Sequence, residues 1–258
     1  MRCNLPENYL PWYIEFFDSD YESIYSTIFE ESQTTSEVNS LVNLLKFKQN
    51  DSILDLCCGP GRHALLLSKL GFDITAVDLN AEYLSQIINN AKKNKLMLKT
   101  VRSDMRYLPF HQQFDVIINM FTSFGYLEND EENFKVLEAI HSSLKSKGWL
   151  LIDMLNREWV VANNIKTEWK IGANNHAIIE HRDINLMTSR SSITFSTLQK
   201  DGSILNSIGH HIRLYTLTEM VRFLEKANMD VKDVYGNLQK EKYSINSRRM
   251  IIVAQKNS

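Results

Sequence analysis

The chain has 258 residues, of which 43% are hydrophobic and 23% are charged, a composition typical of a folded globular protein rather than a disordered one. Its 29 basic and 31 acidic residues give a formal net charge of -2, so no overall positive field attracts nucleic acid. No apolar run approaches the ~18 residues of a membrane span, and the first residues lack the apolar core of a signal peptide, which together predict a cytoplasmic protein without a membrane partner.

From Asp51 onward, short apolar runs alternate with stretches of helical periodicity. The runs predicted as buried strands are residues 52–57, 72–79, 96–101, 114–121 and 148–155. The predicted helices between them are residues 62–70, 81–94 and 130–144. Strands that alternate with helices pair in parallel through right-handed crossovers, so the sequence predicts an α/β doubly wound sheet covered on both faces. Such sheets bind ligands beyond the carboxyl ends of their strands.

The segments that flank this core break the alternation. The first is rich in aromatic residues and helical in pattern, with a helix predicted over residues 36–47. The second alternates at period two and carries Asp201-Gly202 as a hairpin turn, which predicts an antiparallel meander. The predicted division is residues 1–50 for a helical arm, 51–156 for the core, 157–215 for an antiparallel β insertion, and 216–258 for a helix and the last two strands.

The three cysteines indicate neither a disulfide framework nor a metal site. Cys57 and Cys58 are adjacent, and neighbours on extended backbone point in opposite directions, so the two thiols are awkward joint ligands. We therefore expect no metal.

The stretch "LDLCCGPGRHA" runs from the first strand through a glycine turn into a helix. Such a turn presents backbone N–H groups and lets a ligand approach without side-chain clash. Gly59, Gly61 and Ala64 fit the pattern of two glycines and a small third residue, and Asp78 ends the second strand, where a ribose-binding acid belongs. The turn is predicted to hold a nucleoside.

Asp55, just before the turn, distinguishes between nucleoside ligands. A pyrophosphate would meet its negative charge at close range, whereas the sulfonium and α-amino group of S-adenosylmethionine (SAM) are cationic and favoured there. A role for Asp55 in capping loop N–H groups is the structural alternative and is compatible with the same ligand.

Five segments in order resemble the motifs of class I (Rossmann-like) SAM-dependent methyltransferases. They are "LDLCCGPGRHA", "AVDLN", "SDMRYLPF", "FDVIINMFTSFGYL" and "SLKSKGWLLIDM". The resemblance implies a mostly parallel seven-stranded sheet, an antiparallel β insertion after strand 5 that covers the active site, and an N-terminal helical lid. It also implies SAM as methyl donor and S-adenosylhomocysteine as product.

The resemblance further implies a set of cofactor-binding residues. Asp55 and the backbone of Gly59 to Gly61 would contact the methionine part, Asp78 the ribose hydroxyls, and Asp104 the adenine amine. Arg62 is a candidate partner for the SAM carboxylate, with a surface arginine as the alternative. The remaining members are Tyr13 and Cys57, Leu79 and Met105 beside the adenine, and Asn119, Met120 and Phe121 beneath the sulfonium.

The sequence indicates the methyl acceptor less specifically than the cofactor. An Asn/Asp-Pro-Pro-aromatic motif, found in methyltransferases of DNA bases, is missing after the fourth strand, and "DMR" followed by "FTSFGYL" is more similar to the small-molecule branch, including N-methyltransferases of amino sugars and of glycine. We expect in-line methyl transfer to an amine nitrogen or a hydroxyl oxygen of a small molecule. A neutral amine needs no dedicated base, whereas an oxygen acceptor usually does.

Candidate catalytic and substrate-binding groups lie in the insertion and after the fourth strand. Period two places His211 with Arg213 and Tyr215 on one strand face, and His210 on the other as a core residue. A similarity to methyltransferases with a His-x-x-Arg-x-Tyr pattern keeps His210 on the list. The predicted catalytic residues are His210, His211, Arg213 and Tyr215, and the predicted substrate-binding residues are Phe124, Tyr126 and Glu180.

Several alternatives stay open from the sequence. The N-terminal aromatics Tyr9, Trp12, Tyr13, Tyr21 and Tyr25 suggest either a lid whose ring faces attract a sulfonium or simple packing of a helical arm. A second hypothesis is an NAD(P)-dependent oxidoreductase. The sequence shows no evident Tyr-x-x-x-Lys catalytic pair for it, and this hypothesis leaves Asp55 and Asp104 without a role. A non-catalytic SAM-binding module, methylation of RNA or protein, and a homodimer formed through the β insertion are the other hypotheses.

Overall fold

The computed structural model describes residues 11–19, 31–171, 177–198 and 201–257. These residues divide into two compact units, one with residues 11–19, 164–171, 177–198 and 201–212 and the other with residues 31–163 and 213–257. We call them the insertion unit and the sheet unit. The predictions for Tyr9, Tyr21 and Tyr25 lie outside the described residues.

The sheet unit contains a seven-stranded sheet and the insertion unit a four-stranded one. In chain order the strands are β1 (Ser52–Leu56), β2 (Asp73–Asp78), β3 (Leu98–Arg102), β4 (Phe114–Asn119), β5 (Leu144–Leu155), β6 (Thr167–Ile171), β7 (Ala177–Asn185), β8 (Arg190–Leu198), β9 (Ile204–Arg213), β10 (Met229–Tyr235) and β11 (Arg249–Lys256). The larger sheet has the order β10-β11-β5-β4-β1-β2-β3. Five of its strands are parallel, whereas β11 runs antiparallel to β5 and to β10. This architecture confirms the predicted α/β fold class.

Several helices begin at side-chain caps. The described helices are α1 (Trp12–Ser19), α2 (Glu31–Leu45), α3 (Arg62–Lys69), α4 (Ala81–Asn94), α5 (Asp130–Ser143), α6 (Arg157–Ala162) and α7 (Leu217–Lys226). The side chains of Asn80 and Asn129 accept backbone N–H groups at the starts of α4 and α5, and Thr216 forms a capping box with Glu219 at the start of α7. Each such cap contributes about 1 kcal/mol. No helix in these ranges is long and apolar enough to cross a bilayer.

The central strands are buried because helices cover both faces of a parallel sheet. Ile53, Leu54 and Leu56 of β1 and Ile117 and Ile118 of β4 are fully buried, which explains the near-continuous apolar runs in the sequence. Helices α2, α3 and α4 contribute apolar residues to the same core. Because β1 pairs in parallel with both β2 and β4, the carboxyl ends of these three strands lie side by side.

The insertion unit is an antiparallel sheet of order β6-β7-β8-β9 with its own small core. Phe16 of α1 stacks on Phe195 of β8, with ring centroids 6.2 Å apart and planes at 4°. Ile178 and Ile193 complete this core. Strand β6 and helix α6 were not predicted. The described side chains of β6 are exposed, so its short alternation of polar and apolar residues carries little signal of burial.

Candidate functional site

The glycine turn after β1 has the conformation that its sequence requires. Gly61 lies at the N-cap of α3 with φ +83, and a Cβ there would lie 2.7 Å from Cδ1 of Ile87 and closer still to its Cγ1. Gly59 has φ +54, but no atom of the described residues lies within 4 Å of the position that a Cβ would occupy. The two glycines thus serve different purposes, because Gly61 allows close packing on α4 while Gly59 borders open space.

Asp78 at the end of β2 is tied to this turn. Its Oδ2 accepts a hydrogen bond from the N–H of Gly59 at 2.8 Å, and its Oδ1 accepts one from the N–H of Asn80 at 2.9 Å. Burial raises the pKa of the Asp78 carboxyl above its ordinary value. Each carboxylate oxygen has a second lone pair, so both can still accept a hydroxyl from a bound ribose.

Two neighbouring strand ends carry buried oxygens that lack a donor among the described residues. Asp55 of β1 is 1% exposed, and its Oδ2 accepts no hydrogen bond. Asn119 of β4 donates from Nδ2 to the carbonyl of Leu56 at 3.0 Å, but its Oδ1 likewise has no donor. Burial raises the pKa of Asp55 to about 6, although the charges of His63 and Arg62 act to lower it. This pair of acceptors suits a cationic donor.

Arg62, the first residue of α3, supplies the complementary charge. Its Nη1 donates to Oε2 of Glu37 and, at 3.3 Å, to Oγ1 of Thr34 on α2. Its guanidinium carbon lies 5.1 Å from the ring centroid of Phe121. Its Nη2 is buried and makes no hydrogen bond to any residue in the described ranges, so the donor set fits a carboxylate.

The turn after β4 is held in a strained conformation. Phe121 and Thr122 both have left-handed backbone, with φ +63 and +66, which non-glycine residues rarely adopt. The N–H of Phe121 donates to Oδ2 of Asp153 at 3.1 Å, and that of Thr122 to the carbonyl of Asp153 at 2.8 Å. Arg249 donates from Nε to Oδ1 of the same aspartate at 2.7 Å.

Asp104, predicted to bind the adenine amine, is paired within the chain. Arg106 donates from Nε to its Oδ1 at 3.0 Å and from Nη2 to its Oδ2 at 2.6 Å. Burial alone would raise the pKa of Asp104, but the hydrogen bonds from Arg106 outweigh it and hold that pKa below its ordinary value. An adenine amine would therefore share this carboxylate with Arg106, and the adenine role of Asp104 stays a prediction.

The remaining predicted cofactor residues of the sheet unit line the same edge. The Cys57 thiol lies 3.6 Å from the sulfur of Met105, and burial, reinforced by the nearby carboxylates, raises the Cys57 pKa well above its ordinary value. Leu79 is half-buried, and Met120 is buried in the core. A high pKa keeps Cys57 a neutral thiol, which agrees with a packing role.

Arg213 and Tyr215, which are predicted to lie on a substrate-facing strand surface, both have partners within the sheet unit. Tyr215 is 0% exposed and donates from its hydroxyl to Oδ1 of Asp130 at 2.7 Å. Arg213 is buried and pairs with Asp130 at 3.2 Å and with Glu219 at 2.6 Å. Strand β9 ends at Arg213, so the period-two argument no longer applies beyond it. A catalytic role stays a prediction for Arg213, whereas the buried and engaged hydroxyl of Tyr215 favours a positioning role.

The predicted acceptor residues of the sheet unit lie beside this network. Phe124 is buried and packs against Tyr215, with ring centroids 5.4 Å apart. Tyr126 is half-buried. The N–H of Arg213 donates to the carbonyl of Gly125 at 2.9 Å, so the end of β9 holds the loop that carries both aromatics.

The other predicted residues belong to the insertion unit. Buried Glu180 pairs with Arg182, which also binds Glu168 at 2.7 Å. His210 is half-buried, and burial with the charges of Arg182 and His211 lowers its pKa to about 4. His211 is exposed, and its Nδ1 lies 2.7 Å from Oγ of Ser192.

Tyr13 also belongs to the insertion unit and is half-buried on α1. Its ring packs edge-on against Trp12, with centroids 5.8 Å apart. Within the sheet unit, by contrast, the structure brings together Asp55, Gly59, Gly61, Arg62, Asp78, Asn119 and Phe121.

Sequence reasoning missed four residues of this edge. Glu37 and His63 flank Arg62, and Asp153 and Arg249 hold the turn at Phe121. His63 adjoins the glycine motif and could have been suspected. The others contact the site across long sequence separations that no local pattern indicates. Within the described ranges, no cluster of three or more His, Cys, Asp or Glu side chains could hold a metal ion.

Comparisons with known proteins relate this chain to methyltransferases. A family model described as a methyltransferase domain matches residues 53–148. The glycine/sarcosine N-methyltransferase of Halorhodospira halochloris is 31% identical over 152 residues, which cover 58% of this chain and 56% of that protein. The cypemycin N-terminal methyltransferase of Streptomyces sp is 24% identical over 213 residues, covering 80% of this chain and 83% of that protein.

The fold has solved counterparts. The crystal structure of an S-adenosylmethionine-dependent methyltransferase from Clostridium acetobutylicum ATCC 824 superposes with a TM-score of 0.76, covering 94% of this chain and 98% of that one, at 17% identity. The chain spans little more than half the length of the glycine/sarcosine N-methyltransferase from Halorhodospira halochloris, 56% of it. Residues 53–148 thus match a methyltransferase domain, and the sheet that contains them has the fold of this solved methyltransferase structure.

Proposed function

We propose that this protein transfers a methyl group from SAM to an amine nitrogen of a small molecule. One observation carries the proposal. Three polar atoms around the glycine turn, Oδ2 of Asp55, Oδ1 of Asn119 and Nη2 of Arg62, are buried without a hydrogen-bond partner among the described residues. Leaving such a group unsatisfied costs about 1–3 kcal/mol, so their presence together indicates a ligand that pairs with them.

The three atoms match the amino-acid end of SAM. Asp55 and Asn119 offer two acceptors for the α-ammonium, and Arg62 offers a donor for the carboxylate. A pyrophosphate would bring negative charge next to Asp55 and would leave both acceptors unsatisfied. This difference supports SAM over a nicotinamide dinucleotide.

The nucleoside end would lie along the ends of β2 and β3. Gly59 borders open space, and Asp78 retains lone pairs for two ribose hydroxyls. Leu79 and Met105 would pack on the adenine. Asp104 would accept the adenine amine while it keeps part of its pairing with Arg106.

When bound, SAM supplies a methyl group on a sulfonium, and an attacking nitrogen lone pair forms the N–C bond as the C–S bond breaks. The chain's own task is to orient the acceptor and exclude water. Asn119, Met120 and Phe121 would form the floor beneath the methyl, and the Asp153 bond fixes the last of them. Because a neutral amine attacks without a dedicated base, the proposed transfer requires no strongly basic residue.

The acceptor class is inferred from the relatives. The relative from Halorhodospira halochloris is named for N-methylation of glycine and sarcosine, and the Streptomyces relative for methylation of an N-terminus. We retain His210 and His211 as candidate catalytic residues, and Glu180 as a candidate for binding the amine. With its pKa near 4, His210 is neutral at pH 7 and would accept a hydrogen bond from the acceptor.

The test is a transfer assay that compares matched acceptors. S-adenosylhomocysteine release is measured with glycine, sarcosine, an amino sugar and a peptide with a free N-terminus, and with glycolate as the hydroxyl counterpart of glycine. We expect turnover with at least one amine and none with glycolate. Asp78→Ala should abolish turnover, whereas Asp73→Ala, an exposed aspartate at the other end of β2, should retain it. Turnover with the hydroxyl acceptor alone, or none with any acceptor, would contradict the proposal.

A further inference from the structure

Glu37 of α2 lies at the centre of a hydrogen-bond cluster behind the glycine turn. Its Oε2 accepts from Nη1 of Arg62 and lies 2.9 Å from Nε2 of His63, while its Oε1 accepts from Gln33 at 3.1 Å. Burial alone would raise the pKa of Glu37, but the His63 hydrogen bond and the Arg62 charge lower it to about 2. Glu37 is therefore ionised at neutral pH, with both oxygens engaged.

This cluster fixes the direction of the Arg62 guanidinium. The group is planar and its donors have a rigid geometry, so holding Nη1 against Glu37 and Thr34 also determines where Nη2 points. The Phe121 ring restricts the guanidinium further, at 5.1 Å from Cζ to the ring centroid. The remaining donor of Arg62 is the buried Nη2, which has no hydrogen-bond partner in the part of the chain that the structure describes.

Without a ligand, the charged groups around Arg62 do not use all of their hydrogen-bonding capacity. Two carboxylates, Glu37 and Asp55, lie near this guanidinium, and Asp55 is the one without a full set of hydrogen bonds. A zwitterion completes the arrangement, because its ammonium neutralises Asp55 while its carboxylate takes the remaining donor of Arg62. A ligand that carries the ammonium but not the carboxylate would leave Nη2 unsatisfied.

We propose that Glu37 is a positioning residue that aims Nη2 of Arg62 at the carboxylate of the cofactor, so that helix α2 sets the selectivity for a carboxylate-bearing sulfonium ligand. The inference rests on the proposed function, since it takes SAM as the ligand. Glu37 does not contact the ligand. Its effect reaches the carboxylate through Arg62.

The test compares SAM with a ligand that lacks the carboxylate, in the wild type and in variants of Arg62 and Glu37. The Kd values of SAM and of decarboxylated SAM, which differ only by that group, are measured by calorimetry. For the wild type we expect SAM to bind about tenfold or more tightly than its decarboxylated form, the value of one hydrogen bond to a charged group. Arg62→Met should bring this ratio close to one.

The Glu37 variants decide the positioning role. We expect Glu37→Gln to lower the ratio by about threefold or more while the Kd of decarboxylated SAM stays nearly constant. The matched control is Glu31→Gln, the same substitution at an exposed position of the same helix, which should leave the ratio unchanged. If Glu37→Gln does not fold, Glu37→Asp, which keeps the charge but withdraws it by one methylene, should lower the ratio in the same way.

Each outcome has a separate meaning. A ratio that falls in the Arg62 and Glu37 variants supports the proposal. A ratio lost in Arg62→Met but kept in the folded Glu37 variant overturns the positioning role, since a merely structural contact would weaken both ligands equally. A ratio kept in both variants overturns Arg62 as the carboxylate receptor. Failure of the wild type to bind either ligand would instead refute the proposed function.

Discussion

Asp153 on β5 accepts a hydrogen bond of 3.1 Å from the backbone N–H of Phe121, which lies in the turn after β4. The same carboxylate accepts from Arg249, so one buried aspartate joins β5, β11 and the left-handed turn after β4. A left-handed pair of non-glycine residues stores strain of about 1–3 kcal/mol each and persists only where its surroundings impose it. Asp153 is the group that imposes it here.

Replacement of Asp153 should therefore destabilise the protein strongly. We expect Asp153→Ala to lower the free energy of unfolding by about 2–4 kcal/mol, because it leaves Arg249 without its counter-charge and removes the side-chain acceptor of the Phe121 N–H. Urea denaturation measures the effect. The exposed Asp73→Ala should cost less than about 1 kcal/mol, since its ion pair with Lys99 lies at the surface. Equal effects of the two substitutions would show that Asp153 does not hold the turn.

The two glycines of the turn should respond differently to alanine. Gly61→Ala drives a Cβ into Ile87 and should lower the unfolding free energy by about 1–3 kcal/mol. The Cβ of Gly59→Ala meets no atom of the residues that the structure describes, so the substitution should cost only the left-handed strain of about 1–2 kcal/mol and act chiefly by weakening SAM binding. Thermal unfolding and SAM titration of both variants separate the two effects. If Gly59→Ala binds SAM as well as the wild type, the open space beside Gly59 is not the ligand site.

Asp55 should make stability depend on pH. Burial raises its pKa to about 6 in the folded protein, above the value near 4 in an unfolded chain. Its contribution is fully present below the unfolded pKa and is lost as pH rises through the folded pKa. Relative to Asp55→Asn, the wild type should lose about 2–3 kcal/mol of unfolding free energy between about pH 4 and pH 7.

The difference between the two proteins isolates this group, because Asp78 and Glu37 titrate in both. Denaturant unfolding at the two ends of the range measures it. Parallel pH profiles would mean that Asp55 titrates as an ordinary carboxyl. SAM should also bind the wild type more tightly above pH 6 than below it, since the ammonium pairs with the ionised form.

Tyr215 should prove to be a positioning residue rather than a catalytic one. Its hydroxyl is committed to Asp130, so Tyr215→Phe should lower the unfolding free energy by about 1–3 kcal/mol and change kcat by less than about threefold. Urea denaturation and S-adenosylhomocysteine release are measured on the same preparation. A fall in kcat of about a hundredfold with unchanged stability would assign Tyr215 to catalysis.

Local patterns predicted the core of the fold, and long-range contacts escaped them. Helix α4 matches its predicted residues, 81–94, because the Asn80 cap and the apolar periodicity both mark it. Strand β5 begins at Leu144 rather than at the predicted Gly148. Its first residues pair with β4 across a register shift between Phe114 and Val116, which no local pattern indicates. The glycine motif predicts the ligand edge, but Glu37 and Asp153 contact this edge from distant segments and carry no local signal.

The account depends most directly on the ligand that the glycine turn holds. Calorimetric titration of the wild type, Asp78→Ala and Asp73→Ala with SAM, S-adenosylhomocysteine and NAD tests it. We predict that both adenosyl ligands bind the wild type and Asp73→Ala, that Asp78→Ala loses them, and that NAD does not bind. Binding of NAD in place of the adenosyl ligands, or adenosyl binding that survives in Asp78→Ala, would contradict the site described here.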